Sequence, residues 1–568
     1  MANVGRDYAS RGVRAAFSAK VFLAGARYDF QHIGRHTAPP ILPPRTGEEF
    51  GMDVQAFLGS SVSFASRSRR MACIGALVAS MCLVATANAV DAPPLAVLDH
   101  GLRPTVLAPG QAPPGWSLEE RMRFHKIPGV AVAVLRDGKV VQAAGFGVRA
   151  AGGAERVDAD TLFSVGSISK VVTAGTTLRL VAKGTLDLDR NVDAYLKRWK
   201  LPASAIVPAP DVNLRMLMSH TSGLGVHGFA DYQPDDALPS LVQVLDGQKP
   251  AKGEAVRFRQ PPGRVSDYSG GAVTVEQMVI EDATGRPLAD VAQDLVLAPL
   301  GMRRSTFESP LSASRGNIAR AHDAKGLPTA LPRGWESFAE AGASGLWTTA
   351  NDLGRYVGAL IGSYRGTQPF LPQPLAVAMM TEVSPGPFGL GPRLGGAGAG
   401  RYFFHLGANE SYLALLQGYP ETGDGFVILT NGANGLALIA EIRNALDDAI
   451  GLGTRPAIRT VKPRVPPAPD FAGEYRLDPA LPMDIRRALA DSFEHDTLTV
   501  SIQGDMVSLV LPGQDAPTTL QALGPAQFVQ SGIYVFRFEF RRDASGKVRG
   551  VAVSMPETES VAWYAKAP

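Results

Sequence analysis

From Gly129 to Leu135 the chain reads Gly-Val-Ala-Val-Ala-Val-Leu, an apolar run of strand length. Asp137-Gly138 follows, then Val140-Val141, which predicts a hairpin. At Ser167 the period changes. Ile168, Val171, Val172, Leu178 and Val181 recur at helical spacing, and Gly184 after Lys183 reads as a stop signal. A mixed region runs to about residue 400, with helices predicted over Val273–Thr284 and Ala350–Leu360. Strand signals return at Tyr402–Leu406, Tyr412–Gln417 and Phe426–Thr430, the last two separated by a turn at Pro420–Asp424. Leu436–Ile450 then reads as an amphipathic helix. Strands at both ends of a helical middle predict one sheet assembled from both.

The flanks have a different texture. Val90 to Ser117 is proline-rich and predicted to be extended, and Pro463–Pro469 (PRVPPAP) is the clearest linker. Beyond it, short alternating runs at Leu498–Ile502, Met506–Leu511, Tyr534–Phe540 and Val548–Val553 predict a small all-β barrel or sandwich. Near the other end, Arg67, Arg69 and Arg70 precede the apolar run Ala72–Ala85, and Ala87-Asn88-Ala89 fits a small-residue cleavage pattern. This reads as a secretory signal cut after Ala89, which makes the product periplasmic or secreted. Its position implies a start at Met52 and an upstream extension before it. The expected division is 1–89 for extension and signal, 90–460 for the main domain and 461–568 for the all-β domain.

Composition narrows the function. Lys+Arg 56 against Asp+Glu 53 leaves +3 over 568 residues, too little for a chain that binds nucleic acid through a basic face. The two cysteines, Cys73 and Cys82, both lie in the signal, so thiol catalysis and cysteine-bound metal leave with it. The nine histidines form no HExxH pattern, and no Gly-x-Ser-x-Gly elbow or phosphate-cradling loop occurs. Glu276 and Glu281 read as a solvated helix face rather than an acid pair.

The sharpest chemical signal is Ser167-Ile168-Ser169-Lys170. Residues three apart on a helix share a face, so Lys170 can serve Ser167 as a base. A lysine does this only when neutral, which burial and the positive end of the helix both favour. Ser-x-x-Lys alone arises by chance about once in a chain this long. Its context is far more specific. Phe163-Ser164-Val165-Gly166 precedes it, and in order follow Leu217–Leu224 (LMSHTSGL), Tyr268-Ser269-Gly270, Pro299–Met302 (PLGM), Ser344–Thr349 (SGLWTT) with Asn351-Asp352-Leu353, and His405-Leu406-Gly407.

In this order the segments resemble the serine β-lactamase-like family of class C β-lactamases, penicillin-binding carboxypeptidases, D-aminopeptidases and esterases, over about Glu119 to Ile450. The resemblance implies an α/β (α+β) fold, an antiparallel sheet flanked by helices with a helical subdomain. It implies Ser167 as the acylated nucleophile, Lys170 as its base and Tyr268 as a second proton carrier. The backbone N–H groups of Ser167 and Ala408 would form the oxyanion hole. His220 belongs to a loop with a structural role, outside the catalytic set.

Two departures mark the substrate side. Gly270 stands where the family usually has asparagine, and His405-Leu406-Gly407 stands where it has Lys-Thr-Gly. Gly270, His405 and Gly407 are therefore the expected substrate-binding positions, without the usual amide and fixed cation. An ester is the first expectation, then a D-amino-acid peptide, then a β-lactam. A chain that binds such ligands without turning them over, with Gly270 as its lesion, is the alternative from another class. No metal or cofactor is expected, nor any nucleic-acid partner or membrane span after signal removal. The segment from Phe471 resembles the lipocalin-like domain of some of these hydrolases, which could shape the cleft, hold an apolar ligand or mediate oligomer contacts.

Overall fold

The computed structural model describes residues 94–384, 386–480, 496–510, 517–530, 535–555 and 561–567. The signal segment with Arg67, Cys73 and Cys82, the start at Met52, the cleavage point after Ala89, and Val90, Leu511 and Tyr534 lie outside the described residues.

A six-stranded antiparallel sheet forms the body, ordered Lys139–Gly147, Gly129–Arg136, Gly425–Thr430, Leu413–Gly418, Tyr402–Ala408, Arg393–Gly395. Its central strands are apolar at nearly every position because both faces are covered. Alternation sorts the side chains: Ala131, Ala133, Leu135, Val427 and Leu429 enter one core, and Val130, Val132, Val134, Phe426 and Ile428 enter the other. Helix Ala350–Tyr364 supplies Leu353, Val357, Leu360 and Ile361 to the first, and helix Gly435–Ile450 supplies Leu438, Ile442 and Leu446 to the second. The first core continues into a helical region built on Ile168–Ala182 and Gly270–Thr284.

The expected extended segment after Val90 is partly helical. Pro94–Ala96 forms a 3-10 turn that runs into helix Val97–His100, and Leu95, Leu98 and Leu102 pack in the second core. Proline suits the first turn of a helix, where its missing N–H has no partner to lose. Val106–Leu107 then pairs in parallel with Ile458–Arg459, tying the two ends of the body together. Glu276 also departs from expectation. It is 1% exposed, donated to by the Thr177 hydroxyl, and burial pushes its carboxyl up to about 8. Helix Gly270–Thr284 is covered on nearly all sides, so it has no solvated face there. Glu281 is half-buried and pairs with Arg198.

The last domain is a closed eight-stranded antiparallel barrel in which Gly473–Leu477 pairs with Thr497–Gln503 and with Val561–Lys566. Its interior is filled by side chains including Tyr475, Val500, Leu509, Phe528, Phe538, Phe540 and Tyr564. Val529 of the barrel packs with Val106 and Ile458 of the body, and Val461 N–H bonds the Ala522 carbonyl. Among the described residues no helix is long and apolar enough to cross a membrane.

Candidate active site

Ser167 sits immediately before helix Ile168–Ala182, half-buried, where the chain turns out of the short strand Phe163–Ser164. That strand pairs with Trp347–Thr348, and the neighbouring Leu346 fastens the turn from both sides. Leu346 N–H bonds Ser169 Oγ, and its carbonyl accepts from Val165 N–H. The Ser344–Thr349 motif is thus the brace of the Ser167 turn.

Lys170 is one helical turn on, 2% exposed, with Nζ 3.0 Å from Ser167 Oγ and donating to the Ala343 carbonyl at 2.8 Å. Burial lowers its amine from the ordinary 10.5 to about 7, against an opposing pull from the buried Glu340 carboxylate. A neutral amine keeps one lone pair, and here that pair has a hydroxyl within reach.

Tyr268 completes the group, its ring centroid 5.1 Å from Lys170 Nζ. His220 brackets it. The His220 carbonyl accepts from Asp267 N–H at 2.8 Å, and its Nδ1 accepts from Ser269 N–H at 3.2 Å, one residue on either side of the tyrosine. Ser269 caps helix Gly270–Thr284 through Ala272 N–H. His220 is therefore a positioning residue, in keeping with its loop assignment.

The last strand comes from the far end of the domain. Tyr402–Ala408 runs along the Ser167 turn so closely that an added Cβ on Gly407 would meet the Val165 oxygen at 1.9 Å. Gly166, at φ +46°, faces the Ala408 backbone in the same way, with its virtual Cβ 2.7 Å from the Ala408 nitrogen. The Ser167 turn and the strand end at Ala408 thus lie backbone against backbone. Gly407→Ala should therefore lower stability by about 3 kcal/mol and ester turnover by roughly 100-fold, since a shift of about 1 Å costs that much. Thermal melting and kcat together check it; unchanged kcat in a folded variant would detach this contact from the chemistry.

The substrate-side positions come out differently from one another. His405 lies near Tyr268, its ring centroid 6.0 Å away; it is 5% exposed, and burial holds its imidazole down to about 3, so it supplies no charge. Gly270 is buried, gives its N–H to the His227 carbonyl, and has Phe229 Cε2 3.1 Å from where a Cβ would stand. The His227 carbonyl and Phe229 crowd the place where a side chain at 270 would begin.

Sequence reasoning missed three neighbours. His227 packs against Tyr268, the ring centroids 4.8 Å apart and the planes tilted by 46°, and is held to about 4 by burial. Phe388 touches both His220 and Tyr268. Arg393 lies over the Phe388 ring at 5.0 Å, forms no ion pair among the described residues, and bears electrostatically on His220, His227 and His405. Its edge strand is three residues long, too short for a periodic signal. Elsewhere Asp231, Glu336 and Glu410 bring ligand atoms within 4.8 Å of one another. Asp231 accepts the Glu410 N–H and Glu336 the Ser411 hydroxyl, and burial pushes both acids up.

The family model described as Beta-lactamase matches residues 117–449. The chain is 30% identical over 311 residues to Esterase EstB of Burkholderia gladioli, covering 50% of this chain and 76% of that protein. It is 31% identical over 199 residues to Penicillin-binding protein 4 of Amycolatopsis lactamdurans, covering 35% of this chain and 49% of the relative. A Beta-lactamase of Pseudomonas fluorescens matches at 27% over 243 residues, 42% of this chain and 62% of that one.

Proposed function

Because the chain belongs to the Beta-lactamase family and is a serine hydrolase of that kind, we propose that it cleaves esters through an acyl-enzyme on Ser167. The observation that carries this is the 3.0 Å approach of Lys170 Nζ to Ser167 Oγ, with burial holding that amine near 7. In the first step neutral Lys170 takes the hydroxyl proton as Oγ bonds to the ester carbon. The negative oxygen is held by the N–H groups of Ser167 and Ala408, donors aimed where charge develops. Tyr268 hands a proton to the departing alcohol oxygen as the C–O bond breaks. Water then attacks the acyl carbon, its proton passes to the Lys170–Tyr268 pair, and the acid leaves with Ser167 restored.

Esters rank first because neutral His405 offers no fixed charge to a substrate carboxylate, and Phe229 fills the place beside Gly270. The name of the Burkholderia relative agrees. Arg393 favours a second reading, a D-amino-acid peptidase or carboxypeptidase, because a guanidinium beside Phe388 could hold a terminal carboxylate. A β-lactam ranks third. A fluorophosphonate should leave its mass on Ser167, and p-nitrophenyl esters should be turned over faster than D-Ala peptides or nitrocefin. No adduct would support the non-catalytic binder instead, and fast nitrocefin cleavage would reverse the substrate order.

A further inference from the structure

Two histidines beside Tyr268 present hydrogen-bonding atoms that the chain itself does not satisfy. The His220 ring lies 4.4 Å from the Tyr268 ring and the His405 ring 6.0 Å from it. Their tautomers follow from their neighbours. His405 Nδ1 stands 2.6 Å from the Leu406 carbonyl oxygen, which only accepts, so Nδ1 carries the hydrogen and Nε2 is a bare acceptor. His220 is the reverse. Its Nδ1 accepts the Ser269 N–H, so the neutral ring carries its hydrogen on Nε2. Burial keeps both rings neutral. Neither Nε2 has a hydrogen-bond partner among the described residues, though both atoms are buried. Buried polar atoms are paired in the great majority of native sites, so an unpaired donor and an unpaired acceptor against one tyrosine point to a group that meets both.

The chemistry of that group can be narrowed. A carboxylate has acceptors only and would set negative charge against the His405 lone pair. An ammonium has donors only and leaves the His220 N–H unmet. An alkyl chain offers neither. An amide donates and accepts, but through two atoms held apart on one rigid plane; a hydroxyl does both through one atom. We propose that His220 and His405 recognise a free hydroxyl on the alcohol side of the scissile ester, so that the preferred substrates are partial esters of polyols. This rests on the acyl-enzyme reading, since it is the role of Tyr268 toward the leaving alcohol that assigns the pair to that side. His405 acts here as a specificity residue, and its hydrogen-bond polarity is opposite to that of a lysine at the same position.

Three butyrate esters test it: the glycerol monoester, the propyl ester and the glycolic acid ester. A site built to bond a hydroxyl rejects the analogue lacking it strongly. Wild-type kcat/KM should favour the glycerol ester over the propyl ester at least tenfold, with the glycolic acid ester slowest. His405→Leu should bring the glycerol-to-propyl ratio to within about threefold of one. The wild-type ratio decides the matter if that variant does not fold. A wild-type ratio near one, as when waters fill both positions, overturns the assignment, as does a ratio that survives His405→Leu. So does a preference for the glycolic acid ester. If Ser167 takes the fluorophosphonate and the ratio is flat, only the hydroxyl assignment falls; if Ser167 takes none, the acyl-enzyme reading falls first.

Discussion

Ser167→Ala is expected to lower ester turnover by about 100,000-fold or more while moving the melting temperature by only about 2 °C. The two effects separate because of what Oγ does in the resting protein. Ser167 precedes its helix without capping it, and its hydroxyl is met by Lys170 Nζ. Removing it costs one hydrogen bond at a half-buried position, about 1 kcal/mol. Lys170 keeps its bond to the Ala343 carbonyl, so the amine is not stranded. Catalysis loses far more, because the hydroxyl that Lys170 meets is gone. The neighbouring Ser169 hydroxyl is spent on the Gly166 carbonyl and the Leu346 N–H. Steady-state kinetics on a p-nitrophenyl ester, with calorimetry on the same preparation, measure both. Turnover within tenfold of wild type would place the nucleophile elsewhere.

Much of this was legible in the residues, for reasons that differ by region. The strands of the sheet announce themselves because their neighbours on both faces are apolar, and strands at both ends of a helical middle point to one sheet; their order comes from the fold. The helix after Ser167 was legible from its period, and its proposed chemistry from the ordered set of motifs around Ser167 and Lys170 rather than from that pair alone. What the spacing could not give is which loops close over the site. His227, Phe229, Phe388 and Arg393 come from irregular or very short segments, and only their folded position gives them a role. Glu276 was misread for the opposite reason. A lone carboxylate on a helix ordinarily faces water, and its partner Thr177 is 99 residues away in sequence. The Pro94–His100 segment reads as extended on composition, whereas Leu95 and Leu98 are drawn into the core below it.

Lys170→Met should remove about 1,000-fold of turnover and leave the protein as stable as before, or more so, at neutral pH. The side chain is buried, so the wild-type lysine folds most readily without its proton. Its folded pKa, about 7, lies below the ordinary 10.5, so between these values the unfolded chain holds a proton that the folded chain lacks. Stability from this group therefore rises with pH from about 7 to about 10.5, and its cost is full below 7. That cost is of order 5 kcal/mol at most, from about 3.5 pH units at about 1.4 kcal/mol each. Methionine carries none of it but forfeits the bonds to Ser167 and Ala343, so a net gain of about 1–3 kcal/mol is expected at pH 6, vanishing above pH 10. Activity follows the same proton. Wild-type kcat/KM should climb with pH through a midpoint near 7 as the amine becomes neutral, then level off. Glu340, buried and itself pushed up to about 7, pulls the lysine back toward its charged form. Glu340→Gln should therefore shift the acidic limb to lower pH, an effect that lost packing alone would not produce. A limb that stays in place in Glu340→Gln, and turnover that persists in Lys170→Met, would mean that another group takes the Ser167 proton.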